Sequence, residues 1–105
     1  MPAYYFQIEK AIKRKDYVSI NHRLAALLAS YFDILFAINE MPHPGEKKLV
    51  NILKEKATKL PFDMEKNLND LLISTASFNE RILAEVNKLV DNLDNLLIAE
   101  LQRGF

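Results

Sequence analysis

His22 and His43 are the only imidazoles in the chain, and cysteine is absent. Disulfides, thiolate–zinc sites and cysteine nucleophiles are thereby excluded. His43 stands between Glu40 and Glu46, but across Pro42, Pro44 and Gly45, so these three groups share no helical face. An exposed loop histidine is the expected reading rather than a metal ligand. Gly45-Glu46-Lys47-Lys48 offers one glycine and no hydroxyl, where a phosphate loop needs glycines around a Lys-Ser/Thr pair. No serine sits in the strand–turn–helix context of a nucleophile elbow.

The carboxylates divide into two cases. Asp91 and Asp94, with Asn87, Asn92 and Asn95, form an acidic-amide strip near the C-terminal end. Carboxylates three apart share a helical face, and this one is the polar side of an amphipathic segment, expected to be solvated. Asp33 lies instead in the most apolar stretch of the chain, where an unpaired charge would be costly. It is expected on a thin exposed stripe or paired with a lysine of another helix, and it stands as a secondary site candidate. The chain thus carries no complete catalytic or metal-binding centre.

The elements that hold these groups follow from hydrophobic period. Tyr4, Tyr5, Ile8 and Ile12 predict a helix over 3–15, started by Pro2 and broken at Asp16. Ile20, Leu24, Leu27, Leu28, Tyr31, Leu35 and Ile38 predict a second over 17–39. Ala25, Ala29, Phe32 and Phe36 make it apolar on nearly every side, as befits a helix its neighbours wrap. Met41-Pro42-His43-Pro44-Gly45 is a strong breaker. A third helix is predicted over 46–60, with Leu49, Ile52, Leu53, Ala57 and Leu60 inward, Lys47, Lys48, Lys54, Lys56 and Lys59 outward, and Pro61 as its stop. Asp63 is the predicted N-cap of a fourth helix to Ser74, with Met64, Leu68, Leu71 and Leu72 inward. Ser77-Phe78-Asn79-Glu80 matches a capping box for a last helix to Gln102, along which Ile82, Val86, Leu89, Leu93 and Leu96 step by four and three; Gly104 is placed to close it. The expected fold is all-α, an up-and-down antiparallel bundle of about five helices in one domain spanning residues 1–105.

The totals bound the rest. Half the residues are apolar and 27% charged, as in an ordinary globular domain. A net charge of zero argues against direct nucleic-acid binding. That zero conceals a polarity, because residues 1–62 hold ten Lys/Arg against six Asp/Glu, while residues 63–105 hold four against eight. Basic and acidic helices are expected to lie side by side and satisfy one another. Lys10, Lys13, Arg14 and Lys15 interrupt any secretory signal, and the apolar run Leu24–Ile38 is 15 residues long with Asp33 inside it. Spanning a bilayer takes about 20 residues, so no membrane association is expected and the cytoplasm is the expected location.

Tyr31-Phe32-Asp33-Ile34-Leu35-Phe36-Ala37-Ile38-Asn39-Glu40, then Pro44-Gly45-Glu46-Lys47-Lys48-Leu49, resembles the helical C-terminal domain that follows the catalytic domain in a group of bacterial and archaeal nucleotidyltransferases of the DNA-polymerase-β superfamily. The break at Arg14-Lys15-Asp16-Tyr17 and the Leu60-Pro61 stop fit the same pattern, so the resemblance covers residues 10–62. The superfamily's metal-binding Gly-Ser turn is missing. Asp63-Met64-Glu65 matches only its Asp-x-Asp/Glu piece, and behind a proline that is the start of a helix rather than a strand. The resemblance therefore implies a non-catalytic accessory or substrate-binding domain whose nucleotidyltransferase catalytic domain lies elsewhere, in cis or in trans. Magnesium and nucleotide are implied only through that pairing, and the chain itself holds no cofactor. Lys47, Lys48, Asn39 and Asp33 are then the candidate substrate- or phosphate-binding residues, because unpaired amides at a helix start beside two lysines suit an anion. The competing reading leaves Asn39 and Gly45 shaping the turn and the lysines solvated. A second function class is a helical protein–protein interaction module that self-associates as a homodimer with no nucleotide involved, since apolar content is high for so short a chain.

Overall fold

A computed structural model gives the structure of residues 2–45, 48–76 and 81–103. Among these residues the chain forms five α-helices and no strand: α1 (Pro2–Lys13), α2 (Tyr17–Ile38), α3 (Leu49–Lys56), α4 (Met64–Ala76) and α5 (Ile82–Gln102). The all-α bundle expected from periodicity is the fold observed. α1 lies against α2, α4 against α5, and α1 also against α5. None of the helices is long and apolar enough to cross a membrane.

α1 and α2 meet at a corner made by very few residues. Arg14 is the C-cap of α1, and Lys15 takes the left-handed conformation with φ 55°. The Lys15 N–H donates to the Ile12 carbonyl at 3.0 Å and the Asp16 N–H to the Ala11 carbonyl at 2.9 Å, which is the Schellman closure. Asp16 then caps α2: Oδ1 accepts from the Ser19 N–H at 3.2 Å and Oδ2 from the Ser19 hydroxyl at 2.7 Å. α2 closes in the same way as α1. Glu40, φ 55°, donates to the Ala37 carbonyl at 3.0 Å and Met41 to the Phe36 carbonyl at 2.9 Å. Both helix ends thus place a non-glycine residue in the region that glycine normally fills. This is why α1 stops at Lys13 rather than at Lys15.

The predicted stripes account for most of the core. Ile20, Leu24, Leu27, Tyr31 and Leu35 of α2 are buried, as are Ile82, Val86, Leu89 and Leu93 of α5. The stripes of α2 and α4 need correction. α2 is not wrapped on all sides, because Val18, Ala25 and Ala29 are exposed on its outer face. On α4 the buried stripe is Met64, Asn67, Leu68, Leu71 and Ser74, while Leu72 is 52% exposed. Asn67 earns its buried place by donating toward the Phe62 carbonyl at 3.4 Å.

α3 is the largest departure. It begins at Leu49 behind Lys48, which is left-handed at φ 59°, and ends at Lys56, where the prediction runs on to Leu60. Residues 57–61 form an irregular strap instead. The half-buried residues Ala57 and Leu60 pack against the core from this strap, so the periodicity through residue 60 is real but is not all helical. Asp63 precedes α4 with φ 53°, and its carbonyl accepts from the Asn67 N–H at 2.8 Å. The capping box at 77–80 and Gly104 lie outside the described residues.

Opposite charges do meet across the two halves of the chain. Lys54 reaches Glu65 at 3.1 Å, and Lys59 reaches Glu100 at 3.0 Å. Glu100 is only 3% exposed and also takes a contact from Arg103 at 3.2 Å, so its buried charge is compensated twice. Two buried side-chain atoms have no hydrogen-bond partner among the described residues, Glu85 Oε2, which lies 3.7 Å from the Lys88 ammonium, and the Tyr31 hydroxyl. Burial pushes the Tyr31 phenol well above the usual tyrosine range.

Two outcomes follow for the helix ends. Glu40→Gly is expected to stabilise the fold by about 0.5–1 kcal/mol, since glycine adopts the left-handed C′ position without the Cβ clash; thermal unfolding checks the sign, and a fall in Tm contradicts the assignment. At the corner, the hydroxyl and amide of Ser19, then Arg14, hold the Asp16 carboxyl below its usual range. A depressed folded pKa contributes stability above the unfolded value of about 3.9 and loses it as pH falls through the folded value. Asp16→Asn is therefore expected to be less stable than the parent near neutrality, with the difference vanishing in acid; a pH-independent difference would count against this role.

Candidate functional site

The turn from Asn39 to Lys48 is built on a side chain that turns out to be fully occupied. The Asn39 Nδ2 donates to the Leu35 carbonyl and to the Lys59 carbonyl, both at 2.8 Å. Its Oδ1 accepts from the Thr58 N–H at 3.2 Å and from the Lys59 N–H at 2.9 Å. An asparagine amide offers two donors and two acceptor lone pairs, so none is left for a phosphate. Asn39 binds the strap to the end of α2, as in the competing reading of the turn.

Asp33 is an exposed side chain, the first of its two expected placements, and the group beside it is a histidine rather than a lysine. His43 Nε2 lies 3.7 Å from the Asp33 carboxylate. The ring stacks at a tilt on Phe36, centroids 5.2 Å apart, and its Nδ1 accepts from the Gly45 N–H at 3.1 Å. With Nδ1 accepting, the neutral ring carries its proton on Nε2, toward Asp33. Gly45 has φ 93°, and its positive φ lets the turn fold back onto the imidazole. Lys48 is exposed at the start of α3 with no side-chain capping bond. Lys47 and Glu46 lie outside the described residues. The structure therefore joins Asp33 to His43, leaves Lys48 in solvent, and gives Asn39 a purely structural set of contacts. Among the described residues no three His, Asp or Glu side chains converge as a metal site would need.

A second feature was not singled out by residue type. Where α1 crosses α5, a groove of about 230 Å³ opens between Tyr5 and Phe6 on one side and Asn87, Asp91 and Asp94 on the other, over a floor of Val86 and Val90. The Tyr5 and Phe6 rings meet edge to face at 5.7 Å and 80°, forming an aromatic wall. Phe6 is 56% exposed. The Asp91 and Asp94 side chains make no hydrogen bond or ion pair among the described residues, and neither does the Lys10 side chain one turn along from Phe6. The acidic strip was legible as a strip; that it rims an aromatic groove depends on the packing of helices some 80 residues apart in sequence and has no local signal. A polar cavity between α4 and α5, of about 260 Å³, is bounded by the ion pairs Lys66–Asp70 at 2.9 Å and Lys88–Glu85 at 3.7 Å, which already compensate one another.

No family model, curated protein or solved structure matches the chain. The nucleotidyltransferase-type resemblance accordingly rests on the residues that carry it.

Asn39→Ala is expected to cost about 2–3 kcal/mol, because it removes one side chain and leaves the strap's backbone groups without partners. Urea unfolding reads the loss. Hydrogen exchange at Thr58 and Lys59 should accelerate ahead of the α5 amides, and unchanged exchange there would refute the clamp.

Proposed function

We propose that this chain is a non-catalytic helical docking module, and that the groove between α1 and α5 is where it receives a helix of a partner protein. The observation that carries this reading is the composition of that groove: an apolar floor, an aromatic wall with Phe6 standing largely in solvent, and two carboxylates on the rim without partners among the described residues. Its volume of about 230 Å³ lies below the small-molecule range of about 300–1,000 Å³. It is instead the size for one large side chain, since apolar cavities of about 150 Å³ accept a benzene ring. Recognition of an amphipathic helix works through such anchors repeated at i, i+3 and i+4. The carboxylates select a helix whose next turn carries a cation, and they favour the encounter electrostatically.

A synthetic amphipathic helical peptide with Phe and Lys one turn apart tests the reading. Titrated into the protein, it is expected to shift the NMR signals of Phe6, Val90 and Asp91 and to bind more weakly as salt rises. Asp91→Lys/Asp94→Lys should abolish these shifts. Shifts scattered over the surface, or none, would remove the proposal.

The accessory-domain reading is supported by the resemblance over residues 10–62 and by the exposed Lys48 at the opening of α3. On that reading the module docks onto a nucleotidyltransferase catalytic domain and borders its cleft, with Lys48 toward the substrate anion. Magnesium nucleotide titrated against the amides of residues 39–50 separates the two: perturbation there favours the accessory domain, and silence favours docking alone.

A further inference from the structure

The outer faces of α1 and α5 carry matching patterns. On α1, Phe6, Lys10 and Lys13 advance by four and then three residues, and all three are exposed. On α5, Asn87, Asp91 and Asp94 advance by the same four and three along the rim of the groove. The same stepping continues into Ile98 and Leu101, which are 51% and 67% exposed. Residues at such spacing form one stripe along a helix. One stripe thus presents an aromatic ring followed by two cations; the other presents a ring-sized hollow followed by carboxylates and then by apolar side chains. Lys13 has one neighbour of opposite charge, Glu9 at 3.9 Å, and an exposed i,i+4 pair of that length holds it weakly.

We infer that the helix received by this groove is α1 of a second copy of the chain, in a two-fold dimer in which Phe6 of each protomer enters the groove of the other while Lys10 and Lys13 face the partner's Asp91 and Asp94. This rests on the docking reading above and names its partner. Charge complementarity carries it: the two stripes are opposite in sign and equal in period, and Phe6 of the one faces Asn87, Asp91 and Asp94 of the other across the groove. In an isologous contact each patch must be its own complement, and a surface holding α1 and α5 side by side meets that condition. Phe6 already walls its own groove, so across the two-fold the two rings meet near the axis and close both hollows. Ile98 and Leu101 extend the buried surface beyond the carboxylates.

Sedimentation equilibrium on the full chain tests this through a charge swap. The parent is expected to show a monomer–dimer equilibrium that weakens with salt, and Phe6→Ala to weaken it at least about tenfold, as truncation of a buried aromatic anchor does. Lys10→Glu/Lys13→Glu alone sets four acids against one another, and Asp91→Lys/Asp94→Lys alone sets four cations; each is expected to be monomeric with parental circular dichroism. Mixed in equal amounts they should form a one-to-one heterodimer, because both halves of that interface again pair opposite charges. A parent that stays monomeric to about 1 mM, or variants that associate as the parent does, overturns the inference. If the parent is monomeric but the synthetic helical peptide still lands on Phe6 and Asp91, the docking reading stands with a different partner; if both fail, both fall.

Discussion

A carboxamide can give two hydrogen bonds and take two, and at Asn39 all four are spent on backbone. One of the groups it pairs, the Leu35 carbonyl, belongs to α2 itself; the other three belong to a strap some twenty residues further on. The strap between α3 and α4 is positioned through that junction. Once the strap is fixed, the Lys59 side chain leaves it in the direction of Glu100 near the end of α5, at 3.0 Å. Further along, the Phe62 carbonyl accepts from Asn92 of α5 at 3.1 Å. An irregular segment thus joins α2 to α5, and beside the core packing of Ala57 and Leu60 it does so by polar bonds to named partners. Such a link is sensitive to single substitutions because each orphaned group costs more than its bond contributes.

How far the sequence discloses this structure depends on the range of the interaction involved. The inner faces of α2 and α5 are legible because burial imprints a period on neighbouring residues. Asp16 is legible as a break for the same local reason. The end of α3 is not, since what stops it is the amide of Asn39 and not the proline at residue 61. On α4, counting apolar residues selects Leu72 for the interior, whereas the helix buries Asn67 and Ser74. Polar side chains can take core positions when a carbonyl such as that of Phe62 is turned toward them, and an apolar period carries no sign of such a carbonyl. The Asn39–Lys48 turn has the composition of an anion site, yet its asparagine and histidine hold the turn together. The α1–α5 groove has no local signal, because an acidic strip looks solvated until an aromatic wall is placed opposite.

The division of charge between the halves of the chain has two separate outlets. Part of it is spent within the fold, at Lys54–Glu65 and Lys59–Glu100. The cations of α1 and the carboxylates on the rim of α5 are not neutralised in that way, so the fold leaves a dipolar surface where those two helices adjoin. A molecule with no net charge can therefore still have strong orientational preferences at close range.

The corner at Asp16 closes one helix and opens the next without a spare residue between them. Because the same aspartate supplies the last amide of one closure and the first carboxylate of the other, the rotational phase of α1 about its axis is locked to that of α2. Each residue of a helix turns the chain by about 100°. Adding or deleting one residue at this corner would thus swing Phe6 and Lys10 off the α5 side of the bundle while leaving the composition of α1 untouched. Length at this joint acts as a setting of angle, and the chain should tolerate many changes of residue there before it tolerates one change of count.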